Sequence, residues 1–292
     1  LKKMTSSPIK GFMMGAGVTA VIQSSSAVTV MLVGLVNSGM MNLSQTVSVI
    51  IGANLGTTIT AWILSLPSLN GTASLVFKFF QPTNFTPLLA LIGIIMIMAS
   101  KTNRRKSIGT ILMGFAILMF GMEIMSGAMA PLADMDGFKN AMVAFSNPIL
   151  GFIVGLILTM IIQSSSASIG ILQALTITAS VPVGVAVPII FGQHMGACIS
   201  AVIASIGATT NAKRVAAVHV AFNVIGAIIF LVIFEIWLHT FEYPLKQMAN
   251  PFGIAIVHTI FSILAACCLF PFRKGLEKIS YLVVKDSAEE KE

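Results

Sequence analysis

The chain alternates long apolar runs with short polar or basic stretches, and the lengths of the runs differ. Pro8 to Gln23 is 16 residues, about 24 Å of helix against a hydrocarbon core of about 30 Å. A helix that short stops inside a membrane. The polar residues Gln23, Ser24, Ser25 and Ser26 interrupt the run, and apolarity resumes from Ala27 to Val36 before ending near Asn37, Ser38 and Gly39. The pattern predicts a re-entrant helical hairpin with its polar tip at membrane depth. Leu43 to Leu66 is long enough to cross, but Gly52 and Gly56 sit in its middle with Asn54, Thr57 and Thr58 around them. That predicts a discontinuous crossing helix, whose unwound backbone is tolerated only where it is buried in protein or lines a polar cavity. Further crossings are expected at about Phe85–Ser100 and Ser107–Met129, then a second hairpin over Pro148–Ser180 and a second broken helix over Val183–Gly207. The last two spans are expected near Val215–Leu238 and Pro251–Phe270.

The second hairpin is a copy of the first. Laid on itself, the chain brings Pro8–Ala27 (PIKGFMMGAGVTAVIQSSSA) onto Pro148–Ala167 (PILGFIVGLILTMIIQSSSA) with 12 of 20 positions identical and no gap. In the same register GANLGTT at Gly52 falls on GQHMGAC at Gly192, with both glycines aligned. The chain therefore reads as two copies of one unit. Three crossings lie between the hairpins, so the copies would enter from opposite faces: an all-α membrane protein of two inverted-topology repeats, each with a re-entrant hairpin and a discontinuous transmembrane helix. The expected organisation is repeat 1 over 1–106, with its first helix apparently missing, repeat 2 over 107–270, and a charged tail over 271–292.

Composition and charge agree with a membrane protein. The 292 residues are 56% hydrophobic and 9% charged, where a soluble domain keeps roughly a quarter of its residues charged. A cytosolic enzyme is excluded on that ground. The net charge of +7 comes from 17 Lys and Arg against 10 Asp and Glu, clustered between apolar runs rather than interleaved with aromatics on one face, as a nucleic-acid surface requires. With the predicted topology, 14 basic residues fall on the side of both chain ends and 3, Lys78, Lys139 and Lys246, on the other. The positive-inside rule makes both ends cytoplasmic. Cys198, Cys267 and Cys268 follow no metal or disulfide spacing and read as packing residues.

The polar residues suggest chemistry. Two QSSS tips entering from opposite sides would bring six hydroxyls, two carboxamides and adjacent helix ends into one cavity. Helix amino termini hold an oxyanion without a fixed cation, so Gln23, Ser24, Ser25, Ser26, Gln163, Ser164, Ser165 and Ser166 are the candidate anion-binding residues, with Asn54 and His194 beside them. Oxygen ligands in the broken helices favour a hard cation. Gln23, Thr57, Thr58 and Thr60 in one half, and Gln163, Gln193 and Ser200 in the other, are the candidate sodium ligands, together with unwound carbonyls. Sodium moving with the anion would let the membrane potential contribute about 2.3 kcal/mol per charge per 100 mV. His219 and His258 each begin an HxxF pattern and are read as packing at least as readily as site residues.

GFxxGxxxTAxIQSSSA at Gly11–Ala27, GANLGTTITAWI at Gly52–Ile63, the second QSSSA from Gln163, and ASIGATTNAKRVAAVHVAFNVIG at Ala204–Gly226 together resemble the bacterial type II sodium/phosphate cotransporter family over nearly the whole chain. The resemblance implies a sodium-driven carrier of inorganic phosphate, with the two tips forming the substrate site and the Gln- and Thr-rich breaks binding sodium. No organic cofactor is implied. The family usually has Asn where His194 stands and Thr where Ala197 stands, so the second break has lost a hydroxyl, which bears on sodium stoichiometry. Family members typically begin with an extra amino-terminal helix, and many bacterial ones end in a cytoplasmic domain similar to the phosphate-regulon regulator PhoU. Both would be missing here. The expected setting is the bacterial plasma (inner) membrane, multi-pass, with the lipid bilayer as surroundings, no nucleic acid, and a homodimer as the assembly. Two other readings stay open: a sodium- or proton-coupled carrier of another anion such as sulfate or a dicarboxylate, and an intramembrane serine hydrolase using His194 or His219 as base. The second needs only one nucleophile and leaves the duplicated tip unexplained.

Overall fold

A computed structural model describes residues 5, 7–68, 82–129, 131, 135–137, 140, 145, 147–179, 181–240 and 247–286. Among these the structure is helical, apart from one isolated bridge between Pro182 and Met248. The first half runs α1 (Pro8–Ile22), α2 (Ser25–Asn37), α3 (Leu43–Gly56), α4 (Thr58–Ser65), α5 (Pro82–Ala99) and α6 (Asn103–Met129). The second runs α7 (Pro148–Ile162), α8 (Ser165–Thr178), α9 (Val183–Gly196), α10 (Ile199–Ala204), α11 (Thr210–Thr240), α12 (Pro251–Leu269) and α13 (Arg273–Val283). The tail expected at 271–292 thus opens with a helix, α13, and its last residues lie outside the described ones.

Five stretches among the described residues are long and apolar enough to cross a membrane: Leu43–Ser65, Asn103–Met125, Val183–Ala204, Thr210–Thr240 and Pro251–Leu269. The crossing expected at Phe85–Ser100 is represented by the shorter apolar stretch Thr86–Ala99. Large apolar side chains cover the exterior; Val21 is 84% exposed and Ile161, its counterpart in the second copy, 74%. A surface of that kind is stable against lipid and not against water. The protein is a multi-pass, all-α membrane protein.

The broken helices differ from expectation. The sequence predicts unwinding from Gly52 to Thr58, yet α3 continues through both glycines to Gly56, and only Thr57, at φ −63° and ψ −25°, separates it from α4. In the second half Ala197 and Cys198 separate α9 from α10, again with right-handed helical angles. These breaks are changes of helix, not stretches of extended chain, so the unwound carbonyls expected as cation ligands do not occur there. The glycines have another role. A Cβ at Gly15 would overlap the carbonyl oxygen of Val49, one at Gly52 that of Phe12, and one at Gly56 that of Ala16. Gly155 meets Ile189, Gly192 meets Phe152 and Gly196 meets Leu156 in the same way, each at the matching position of the second copy. Backbone-to-backbone approach of α1 on α3, and of α7 on α9, is what these glycines permit.

The core links the two halves. One apolar cluster runs from Val28 and Leu32 of α2 through Ile50 of α3 to Phe191 of α9 and Phe222 of α11. A second joins Ala61 of α4 to Ile169 and Leu172 of α8, Ile190 of α9 and Ile254 of α12. Amphipathic α13 packs on α11 and α3, burying Leu276 and Ser280. Arg214, 4% exposed, secures the chain just beyond it: Nη2 lies 2.6 Å from Asp286 Oδ1, Nε donates to the Val284 carbonyl at 3.1 Å, and the guanidinium sits 4.1 Å over the Tyr281 ring.

Candidate functional site

Each tip is built by the same local rules. α1 ends when Gln23 turns left-handed, at φ 61° and ψ 25°, with its N–H on the Thr19 carbonyl at 2.7 Å. Ser24 is then extended and caps α2, its Oγ accepting from the Ala27 N–H at 3.1 Å. Gln163 repeats the turn at φ 58°, and Ser164 Oγ accepts from the Ala167 N–H at 3.2 Å. These two glutamines are the non-glycine residues with positive φ among those described. A side chain in that region costs about 1–2 kcal/mol, which implies that the side chain is needed. Gln23 shows the need: its Nε2 donates to the Ala20 carbonyl, and its Oε1 accepts from Thr60 Oγ1 at 2.7 Å.

The structure brings the two tips together. Ser166 Oγ donates to the Gln23 carbonyl at 3.3 Å, and Ser26 Oγ to the Ala197 carbonyl at 3.5 Å. The first turn of α8 therefore lies within a side chain's reach of the turn that leads into α2, and the first turn of α2 within reach of the break between α9 and α10. Ser24 and Ser164 are committed as caps, and Ser25 and Ser165 are buried. The N–H groups that open α2 and α8 have no intrahelical acceptor, and they carry the positive end of the helix dipole. That is an oxyanion environment. Gln163 is exposed.

The remaining predicted residues divide in two. Thr57 Oγ1 donates to the Ala53 carbonyl at 3.1 Å and Thr58 Oγ1 to Leu55 at 2.8 Å, both buried. Their lone pairs stay available to a cation. Asn54 is buried, and its amide donates to the Ile50 carbonyl one turn back, at 3.0 Å. It completes its own helix. Ser200, the counterpart of Thr60, is partly buried and has no bond to Gln163. Gln193, fully buried, donates to the Ser168 carbonyl at 2.9 Å and leaves its Oε1 unpaired. His194 is 6% exposed with Nε2 unpaired. Its ring lies 4.5 Å from that of His258 and 4.7 Å from Phe261.

Sequence reasoning missed three features. His258, read as packing at least as readily as a site residue, shares a contact with His194. Ser168 lies one turn into α8 and joins Thr159 to Gln193, Thr159 Oγ1 donating to its Oγ at 2.8 Å. Gln173 Nε2 bonds the carbonyls of both Ala61 and Pro251 at 2.9 Å. Polar Ser168 and Gln173 within the apolar middle of α8 were the available signal, and only the fold supplies their burial and their partners. No group of three or more His, Cys, Asp or Glu among the described residues could hold a metal ion. The cation chemistry on offer is that of neutral oxygen ligands, suited to a hard ion.

The sequence profile described as Na+/Pi-cotransporter matches residues 1–127 and again 117–257. The chain is 23% identical over 281 residues to YjbB of Salmonella typhimurium, whose name proposes it as an inorganic phosphate export protein, covering 95% of this chain and 48% of that one. It is 28% identical over 228 residues to YqeW, an uncharacterised protein of Bacillus subtilis, covering 78% and 69%. Against human sodium-dependent phosphate transport protein 2B it is 30% identical over 142 residues, 47% of this chain and 20% of the human protein. The chain thus spans about half the length of YjbB. No solved structure matches it. With both halves matched by one profile, the chain belongs to the Na+/Pi-cotransporter family, a family of phosphate transporters.

Proposed function

We propose that the chain carries inorganic phosphate across the bacterial inner membrane, coupled to sodium, by alternating access about a site between the Gln23–Ser26 and Gln163–Ser166 tips. The observation that carries this reading is the contact between tips: Ser166 Oγ on the Gln23 carbonyl, with Ser26 Oγ on that of Ala197. The amino terminus of α8 meets there the turn that opens into α2, in a family of phosphate transporters. In this reading the repeats are inverted, the hairpins are re-entrant, and both chain ends are cytoplasmic. Phosphate takes the N–H groups that open α2 and α8 and the hydroxyls of Ser25, Ser26, Ser165 and Ser166. Sodium takes lone pairs of Gln23, Thr57, Thr58 and Thr60, and on the other side of Gln163, Gln193 and Ser200. The neutral site has no Lys or Arg in either tip, so sodium supplies the compensating charge. The names of YjbB and of protein 2B fit export and sodium dependence respectively.

The test is uptake of labelled phosphate into proteoliposomes, with an inward sodium gradient and with potassium in place of sodium. Sodium-dependent uptake is expected. Uptake indifferent to sodium, in folded protein, overturns the coupling. One observation favours a second reading: His194 and Ala197 stand where the first half has Asn54 and Thr57, which changes the donors beside the tips. Under that reading the cargo is another anion, and sulfate or a dicarboxylate displaces phosphate at equal concentration.

A further inference from the structure

The two copies share their backbone contacts but not their buried polar ones. In the second copy, Thr159 Oγ1 donates to Ser168 Oγ at 2.8 Å, and Gln193 Nε2 donates to the Ser168 carbonyl at 2.9 Å. All three residues are fully buried. The chain of bonds joins α7, α8 and α9, one turn from the tip. Further along α8, Gln173 is also fully buried, and its amide is shared between the carbonyls of Ala61 in α4 and Pro251 in α12.

The equivalent positions of the first copy, in the register that sets Gln23 on Gln163, are Thr19, Val28, Ala53 and Val33. Thr19 keeps its buried hydroxyl, but with Val28 in place of a serine that oxygen has no partner. Val28 and Val33 are part of the apolar core. The polar ties particular to the first hairpin are less buried: Thr60 Oγ1 of α4 donates to Gln23 Oε1 at 2.7 Å, on a partly buried residue, and Asn37 Oδ1 accepts from the Thr209 N–H at 2.8 Å, on exposed residues. A bond exposed to water exchanges at little net cost, whereas a buried one must be replaced or left unmade. Apolar side chains slide across one another without that penalty.

We propose that the Thr159–Ser168–Gln193 chain, with Gln173, fixes the Gln163–Ser166 tip as a rigid wall of the site and leaves the Gln23–Ser26 tip as the element that moves when the site opens. The proposal rests on the carrier reading for its role in transport, and on the hydrogen bonds alone for which tip is held. Thr159, Ser168, Gln173 and Gln193 are on this view positioning residues. The amide of Gln193 is oriented by the Ser168 carbonyl, which must face its NH2 group, so its Oε1 is turned to the other side and left unpaired. The chain that holds the tip therefore also sets the direction of that oxygen.

The experiment is hydrogen–deuterium exchange on the protein in lipid nanodiscs, comparing Val21–Val30 with Ile161–Gly170 after correction for intrinsic rates. Without sodium or phosphate, the second segment exchanges about tenfold or more slowly, the factor expected when two or more buried hydrogen bonds must open together. Thr159→Val keeps the shape and removes the hydroxyl, and raises exchange in the second segment towards that of the first. Thr159→Ser restores the slow rate. Val28→Ser with Ala53→Gln installs the missing chain and slows the first segment. In proteoliposomes that double variant lowers the maximal rate of phosphate uptake several-fold and leaves KM within about twofold. Equal exchange in the two segments, or a Thr159→Val protein that exchanges like the parent, overturns the proposal. Absence of sodium-driven uptake in the parent would overturn the carrier reading instead, and the exchange comparison would still decide which tip is held.

Discussion

Thr60→Val tests whether the left-handed glutamine is held by its side chain. Thr60 is 5% exposed, and its Oγ1 donates to Gln23 Oε1 at 2.7 Å. Valine keeps the branched shape and removes the donor. Gln23 is partly buried, so water replaces the lost bond incompletely, and the cost is about 1–2 kcal/mol rather than the upper end for a buried orphan. The repeat provides an internal control. Ser200 holds the matching position in the second copy, and it makes no bond to Gln163, so Ser200→Val stays within about 0.5 kcal/mol, as expected of a substitution that breaks no specific contact. The assay is thermal unfolding of the reconstituted protein alongside the sodium dependence of phosphate uptake. At about 2–4 °C per kcal/mol for a chain of this order of size, Thr60→Val melts about 2–8 °C below the parent and Ser200→Val within about 1–2 °C. If Gln23 and Thr60 also bind sodium, the half-saturating sodium concentration rises about fivefold or more in Thr60→Val, the equivalent of about 1 kcal/mol. Equal melting of the two variants would refute the claim that the Thr60 bond holds the Gln23 side chain in its left-handed turn. An unchanged sodium requirement would remove both residues from the sodium site.

Other substitutions test other levels. Gly15→Ala and Gly155→Ala, whose Cβ atoms would overlap the carbonyls of Val49 and Ile189, force the paired helices apart and lower stability by about 1–3 kcal/mol or more. Gly17→Ala, with nothing within 4 Å of the new Cβ, stabilises by up to about 1 kcal/mol through helix propensity; thermal unfolding separates the three. Ser24→Ala and Ser164→Ala each remove a helix cap, about 1 kcal/mol, and weaken phosphate binding by loosening the first turn, read as a raised KM for uptake. Asp286→Asn costs at most about 1 kcal/mol because Asp286 is half exposed, whereas Arg214→Ala, which also removes a buried stem and the stack on Tyr281, costs more. A salt series in the melting assay distinguishes the charge from the packing.

Much of this fold was legible in the order of residues. The apolar run ending in QSSS marks a helix too short to cross, and α1 does end at Ile22. The basic segment from Lys101 to Lys106 marks the junction of α5 and α6. The glycines were legible as important but not in kind: Gly52 looks like a helix breaker when the chain is read alone, and becomes a contact point only once α1 is placed against it. That distinction depends on Phe12, a neighbour in space that is distant along the chain, and local spacing does not encode it. The tip contact was legible because the same polar tetrad occurs twice. The Ser168–Gln193 bond was not, because neither residue has a polar counterpart in the other copy, and comparison of repeats emphasises what they share.

What the copies share and what they do not follows from the physics of each contact. A close approach of two helix backbones has one residue that satisfies it, so Gly15, Gly52 and Gly56 recur as Gly155, Gly192 and Gly196. A left-handed turn followed by a capped helix has few solutions, and Gln23–Ser24 recurs as Gln163–Ser164. Buried side-chain hydrogen bonds are less restricted: an apolar pair of the same volume fills the same space at little cost in stability. Val28 and Ala53 against Ser168 and Gln193 are that exchange. Duplication therefore preserves the frame and leaves the polar interior free to diverge, and the proposed site between the two copies acquires two unlike walls. The proposed mechanical difference between the two tips rests on the unlike polar contacts, not on the repeated ones.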